Sequence, residues 1–210
     1  MNTMNTMSTL FIFGPGLPCG DAVAALRPTP MPATPDDLFA FLDRLGIAHP
    51  TVSHPPLFTV EQSRLLRGPL PGGHTKNLFL KDKRDAVFLV VVLEDAVVEL
   101  KTLHQRLGAA RLSFGSAELM RELIGVEPGA VTPFGAINDA GRRVTVVLDT
   151  AMMAHDTLNY HPLVNTMTTA IGRADLMRFL EATGHPPRIV AVTNPAEGPP
   201  AAGRLHSGPT

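Results

Sequence analysis

The chain predicts an α/β domain of mixed element order, and three observations carry that prediction. Amphipathic helical segments and apolar strand-like runs follow one another irregularly, so no βαβ unit recurs. No stretch repeats at a fixed period. With 44% hydrophobic and 18% charged residues among 210, the composition is that of an ordinary globular chain long enough to bury a core.

The elements read in order as follows. Thr34 is placed as an N-cap, Pro35 opens the first turn, and Asp36 and Asp37 sit at the positive end of the helix dipole. Leu38, Phe39, Phe41, Leu42 and Leu45 then form an apolar stripe that stops at Gly46. A strand is expected near residues 47–53, ending at His54-Pro55-Pro56. Thr59 and Gln62 have capping-box spacing and predict a short helix to Leu66. The breaker-rich connection Gly68-Pro69-Leu70-Pro71-Gly72-Gly73 follows, and residues 57–73 are open to two readings, a moving lid or a rigid turn.

Leu78 to Leu80 and Ala86 to Leu93 predict two paired strands joined at Asp82-Lys83-Arg84-Asp85. Leu100, Leu103 and Leu107 before Gly108, and Leu119, Leu123 and Ile124 between Ser116 and Gly125, predict two helices. Strands are expected over Val144–Leu148, Thr166–Ile171 and Arg188–Val192, and a last helix over Ala174–Thr183. The domain is therefore predicted over 34–193. Residues 1–33, broken by Pro28, Pro30 and Pro32, are expected to be a poorly ordered arm, and the Pro/Gly-rich residues 194–210 a flexible tail.

Composition narrows function. The net charge of −1 argues against gripping long nucleic acid such as DNA by bulk electrostatics. Nine basic residues stand against five acidic ones between Arg64 and Arg111, enough to meet the end of one RNA or simply to form a solvated face. The longest apolar run is far shorter than the roughly 20 residues of a membrane span. The single Cys19 fits a reducing cytoplasm, and the lack of a basic residue before Arg27 argues against a secretory leader. The eight histidines form no metal-binding spacing, and no GxSxG or GxxxxGK[ST] occurs, so no metal and no cofactor is expected.

The most informative stretch is Gly72-Gly73-His74-Thr75-Lys76-Asn77-Leu78-Phe79-Leu80-Lys81-Asp82, which sets a lone lysine and an asparagine at the start of an apolar strand after a glycine hinge. Lys76 is a compact cation suited to a developing oxyanion or a terminal phosphate; its plain alternative is a surface lysine. Asn77 and Asn165 can each donate and accept, or make turns. Gly129 to Pro133 offers backbone amides in a short loop, a nest for a carbonyl oxygen or a mere connector. His161 is open to a general-base or a structural role.

Together with Gly129-Ala130-Val131-Thr132-Pro133-Phe134-Gly135 and Tyr160-His161-Pro162-Leu163-Val164-Asn165-Thr166, that stretch resembles the YbaK/ProX-like prolyl-tRNA editing domains over roughly residues 34–193. Within them it resembles the free-standing alanyl-tRNA(Pro) deacylases. The resemblance implies a mixed, largely antiparallel curved sheet surrounded by helices. It implies metal-free, substrate-assisted ester hydrolysis with Lys76, Asn77 and Asn165 as catalytic residues. Substrate contacts would come from Gly129, Ala130, Val131, Thr132, Pro133, Phe134, Gly135, His161, Thr166 and Phe58. Arg67, Lys81, Lys83 and Arg84 would touch the acceptor end of mischarged tRNA(Pro), and prolyl-tRNA synthetase is a further implied partner. Seryl-, threonyl- or cysteinyl-tRNA as substrate, or a non-catalytic aminoacyl-tRNA-binding module, remain alternatives at this point.

Overall fold

The computed structural model describes residues 31–56 and 70–193. The expectations for the arm, the helix at 59–66, Phe58, Arg67 and the tail lie outside the described residues, as does most of the 57–73 lid.

Helix α1 (Pro35–Arg44) starts as its sequence dictates: Thr34 Oγ1 accepts from the Asp37 amide while Asp37 Oδ2 accepts from the Thr34 amide at 2.9 Å. The remaining helices are α2 (Leu100–Leu107), α3 (Ala117–Ile124) and α4 (Arg173–Ala182). The strands are β1 (Thr51–Ser53), β2 (Gly73–Asp82), β3 (Val87–Leu93), β4 (Leu112–Phe114), β5 (Val144–Asp149), β6 (Thr157–Tyr160), β7 (Met167–Gly172) and β8 (Arg188–Val190). They form one sheet in the order β1-β7-β6-β2-β3-β5-β8, with β4 pairing on β2.

The sheet is mixed. Pairs β1–β7, β2–β3, β2–β4 and β6–β7 are antiparallel, while β2–β6, β3–β5 and β5–β8 are parallel. The β2–β3 hairpin is the predicted one, closed by Asp82, whose Oδ1 accepts from the Arg84 and Ala86 amides and whose Oδ2 accepts from Ala110 at 2.9 Å. Those bonds, Ala110's foremost, hold the Asp82 carboxyl below its ordinary pKa.

Side-chain alternation along β2 and β3 feeds two cores. Phe79, Leu89 and Val91 join Val146 and Leu148 beneath α1, α3 and α4, where Leu38, Leu42, Leu123, Ile124, Leu176 and Phe179 are buried. Leu80, Phe88, Val90 and Val92 join Val147 beneath α2 through Leu103 and Leu107. A buried His185 Nε2–Asp139 Oδ2 contact of 3.1 Å, with the Val144 amide also on Asp139, ties the start of β5 to the segment after α4. Asp149 accepts from the Val192 and Thr193 amides and the Thr193 hydroxyl, fastening the last described residues to the end of β5.

Three sequence expectations need correction. Strand β2 begins at Gly73, so Lys76 is its fourth residue and lies within the strand. The strand expected from residue 47 forms only over Thr51–Ser53, because Pro50 has no amide to give a ladder. β4 and β6 are additional strands; each is three or four residues long and lacks the apolar run that marks β3.

Candidate functional site

The site is built around an interrupted edge of β2. On one side β2 pairs with β3 along Thr75–Lys81. On the other, β6 pairs only at Gly73 and His74, and β4 only at Leu80–Asp82. The Glu94 amide bonds to the His74 carbonyl from the β3 side, which confirms that β6 holds the opposite edge. Among the described residues, Thr75 to Leu78 therefore have no ladder partner on that edge, and a notch opens in the sheet. Gly72, with φ +103, lets the chain pass close to β6: a Cβ there would lie 2.7 Å from the Thr157 carbonyl oxygen.

The 129–133 loop reaches this notch. Asn77 Nδ2 donates to the Val131 carbonyl at 2.8 Å, across 54 residues of sequence. Gly129 makes the turn with φ +93, a conformation that disfavours any side chain. The Ala130 amide is used by Glu127 and that of Phe134 by Thr132 Oγ1, whereas the Val131 and Thr132 amides have no hydrogen-bond partner among the described residues. Thr132 and Pro133 then cap and open a short 3₁₀ helix, Pro133–Ile137, which anchors the loop in the core.

That anchoring reassigns part of the predicted set. Phe134 is fully buried, edge-on to Tyr160 at 5.8 Å and to Phe179 at 5.3 Å, and Gly135 lies so close to Ile124 that a Cβ would stand 2.8 Å from its Cβ. Both shape the floor under the loop and reach no solvent-borne group directly. Ala130, Thr132 and Pro133 are also buried, so what the loop can present is the half-buried Val131 with its amide, free among the described residues.

Lys76 stands beside the notch but on the other face of β2. Its cross-strand neighbour is Val92, in the core under α2, while Asn77 is opposite Val91, in the core under α1, α3 and α4. Lys76 is half-buried and has no ion pair among the described residues. The β6–β7 connection, 161–166, leaves β6 at the level of Thr75 and Lys76, because His74 pairs with Asn159. Asn165 in this connection has a partner of its own. Thr166 gives its carbonyl to the His54 amide.

His161 Nδ1 donates to the Met167 carbonyl at 2.8 Å, since a carbonyl can only accept. Burial of the ring, and secondarily the His54 ring 6.0 Å away, hold its pKa below the ordinary value, so at neutral pH Nδ1 carries the proton and Nε2 keeps a lone pair. His54 is itself committed, to the Pro55 carbonyl and the Thr168 hydroxyl.

The basic residues lie elsewhere on the strand. Lys81 is five residues, about 17 Å, along β2 from Lys76, and it forms an exposed ion pair with Asp85. Lys83 and Arg84 occupy the adjoining turn, both exposed. No three His, Cys, Asp or Glu side chains gather in a metal-ligating group among the described residues. Sequence reasoning missed the contribution of Tyr160, whose place beside Phe134 is set by β6; only the short alternation Leu158-Asn159-Tyr160 signals that strand.

Comparison with known proteins identifies the family and the fold. Residues 54–179 match the family model described as the aminoacyl-tRNA editing domain. Over 157 residues the chain is 43% identical to prolyl-tRNA synthetase associated domain-containing protein 1 of Danio rerio, covering 74% of this chain and 85% of that one. It is 32% identical over 149 residues to the prolyl-tRNA editing protein ProX of Acetoanaerobium sticklandii, covering 70% and 91%. A crystal structure assigned provisionally to a trans-editing enzyme for prolyl tRNA synthetase superposes with a TM-score of 0.58 at 17% identity, over 81% of this chain and all of the other, and shares the fold.

Proposed function

Because the chain belongs to the aminoacyl-tRNA editing domain family, we propose that it is a trans-editing hydrolase that removes alanine from mischarged proline tRNA. The observation that carries this reading is the Asn77–Val131 hydrogen bond, which draws a loop with an uncommitted, half-buried Val131 amide onto β2 next to Lys76.

Hydrolysis needs a water on the ester carbonyl, stabilisation of the oxyanion, and departure of the ribose oxygen. The water oxygen bonds to the carbonyl carbon, the ester C–O bond breaks, and the ribose oxygen takes a proton, giving free alanine and tRNA. In this proposal the Val131 amide faces the developing oxyanion from one side of the β2 edge. Lys76 supplies positive charge from the other, and the notch lets one ester meet both. Neutral His161, with Nε2 as acceptor, suits orientation of a ribose hydroxyl, and Asn165 lies on the same connection. The chemistry requires no covalent side-chain nucleophile.

Alanine selection has a physical rationale. A synthetase pocket built for proline cannot strongly exclude a smaller side chain, because a methylene or two changes binding by only about 1–3 kcal/mol. A second and smaller pocket rejects proline by size instead. Contact with the acceptor end through Lys83 and Arg84, and with Arg67, belongs to the same proposal, as does action alongside prolyl-tRNA synthetase.

The test is deacylation of alanyl-tRNA(Pro), prolyl-tRNA(Pro) and alanyl-tRNA(Ala) side by side. Rapid release from the first alone is expected. Preferential release of serine, threonine or cysteine from their tRNAs would overturn the alanine assignment, and tight binding of all three without hydrolysis would overturn the enzyme.

A further inference from the structure

Two buried polar atoms below the 129–133 loop have no hydrogen-bond partner among the described residues. Tyr160 is 2% exposed and its hydroxyl makes no hydrogen bond among the described residues. Asn77 Oδ1 is also buried and unbonded. Its identity as oxygen is fixed, because the other end of the amide must be the nitrogen that donates to the Val131 carbonyl. Polar atoms left so in an interior cost stability unless something fills the space between them, and ordered water is the usual occupant.

The strand register brings the two residues onto neighbouring rungs. Extending the Gly73–Leu158 and His74–Asn159 register by one rung sets Tyr160 beside Thr75. Thr75 and Asn77 project from the same face of β2, about 7 Å apart. Tyr160 packs on Phe134, three residues after Val131. The neighbouring Thr75 hydroxyl donates to the Asn159 carbonyl at 3.1 Å; it lies near enough to the phenol to favour its ionised form slightly, yet makes no hydrogen bond of ordinary geometry with it.

The chemistry of the two atoms is specific. One atom is a phenol that needs an acceptor, and the other is an amide oxygen that needs a donor. Water supplies both at once, whereas an ammonium group only donates and would leave the phenol proton stranded. We propose that one buried water bridges Tyr160 Oη and Asn77 Oδ1, and that Tyr160 thereby acts as a positioning residue. Through the water it holds Asn77, and Asn77 holds the Val131 carbonyl, so the loop's half-buried Val131 peptide stays aimed at the notch.

The experiment uses the full chain with Tyr160→Phe, Asn77→Ala and the double variant. Diffraction should show one ordered water within hydrogen-bond distance of both atoms, lost in Tyr160→Phe. That variant should lower Tm by about 2–4 °C, and its effect should shrink when Asn77 is already alanine. Absence of that water, an unchanged or raised Tm in Tyr160→Phe, or additive effects in the double variant would overturn the bridge. The positioning role, which rests on the proposed deacylation, predicts a roughly threefold to tenfold loss of kcat with KM unchanged, because the Val131 amide acts on the transition state. Unchanged kcat, or a change confined to KM, would overturn that role. Lack of deacylation by the unaltered chain would count against the reaction and not against the water, which diffraction and the Tm cycle decide by themselves.

Discussion

Replacing Lys76 by alanine isolates the charge at the notch from the fold around it. The ammonium is half-buried and has no ion pair among the described residues, so its removal strands no partner. Stability should then change by no more than about 0.5 kcal/mol, under roughly 2 °C in Tm. An ammonium about 4 Å from an oxyanion is worth about 1 kcal/mol in water and about 4 kcal/mol at an effective dielectric constant of 20. A half-buried position lies between those limits, which sets the loss of kcat/KM for alanyl-tRNA(Pro) at roughly tenfold to a hundredfold. Single-turnover deacylation of labelled alanyl-tRNA(Pro), with a thermal melt of the same preparation, reads both quantities. Lys76→Arg, which keeps the charge on a larger head, should recover part of the loss. Turnover equal to that of the unaltered chain in Lys76→Ala would remove the lysine from the reaction. A Tm drop beyond about 5 °C would show that the side chain holds the fold.

Other substitutions test the supports of the loop. Gly129→Ala imposes about 1–3 kcal/mol of backbone strain at φ +93, and kcat should fall at least about fivefold if the loop gives way; circular dichroism should remain that of the unaltered chain. Gly135→Ala drives a methyl group into Ile124 and should lower Tm by roughly 2–10 °C in a melting scan. Asp82→Asn tests the hairpin closure by pH. Because the folded pKa is below the ordinary 3.8, the carboxylate stabilises the fold above that value, and the contribution disappears as pH falls through the lowered one. Urea midpoints of the unaltered chain should therefore drop as pH falls through that window, while those of Asp82→Asn start lower and change less.

What was legible in the residues was whatever local chemistry dictates. Thr34 with Pro35 and Asp37, Ser116 before α3, and Gly108 and Gly125 as left-handed stops carry their own instructions, so those helix ends were fixed in advance. The run Val87–Leu93 is apolar at every position, which suits a strand covered on both faces. The same reading placed Lys76, Asn77 and the 129–135 loop among the candidates, because a cation, an amide and a glycine-rich bend are chemically conspicuous in an apolar setting.

The tertiary structure decided what depends on partners distant along the chain. β6 spans four residues and is a strand only because β2 and β7 flank it, and its register is what delivers Tyr160 to the loop. Neighbours on a strand project to opposite faces, and the β2–β3 pairing decided which core Lys76 and Asn77 each face. Phe134 could have lined a pocket or filled the core, and Tyr160 with Phe179 settled it as core. Local sequence specifies caps, turns and apolar stripes because their energies arise within a few residues. The gap in the ladder beside Lys76 comes from two strands that diverge, and no single segment encodes it.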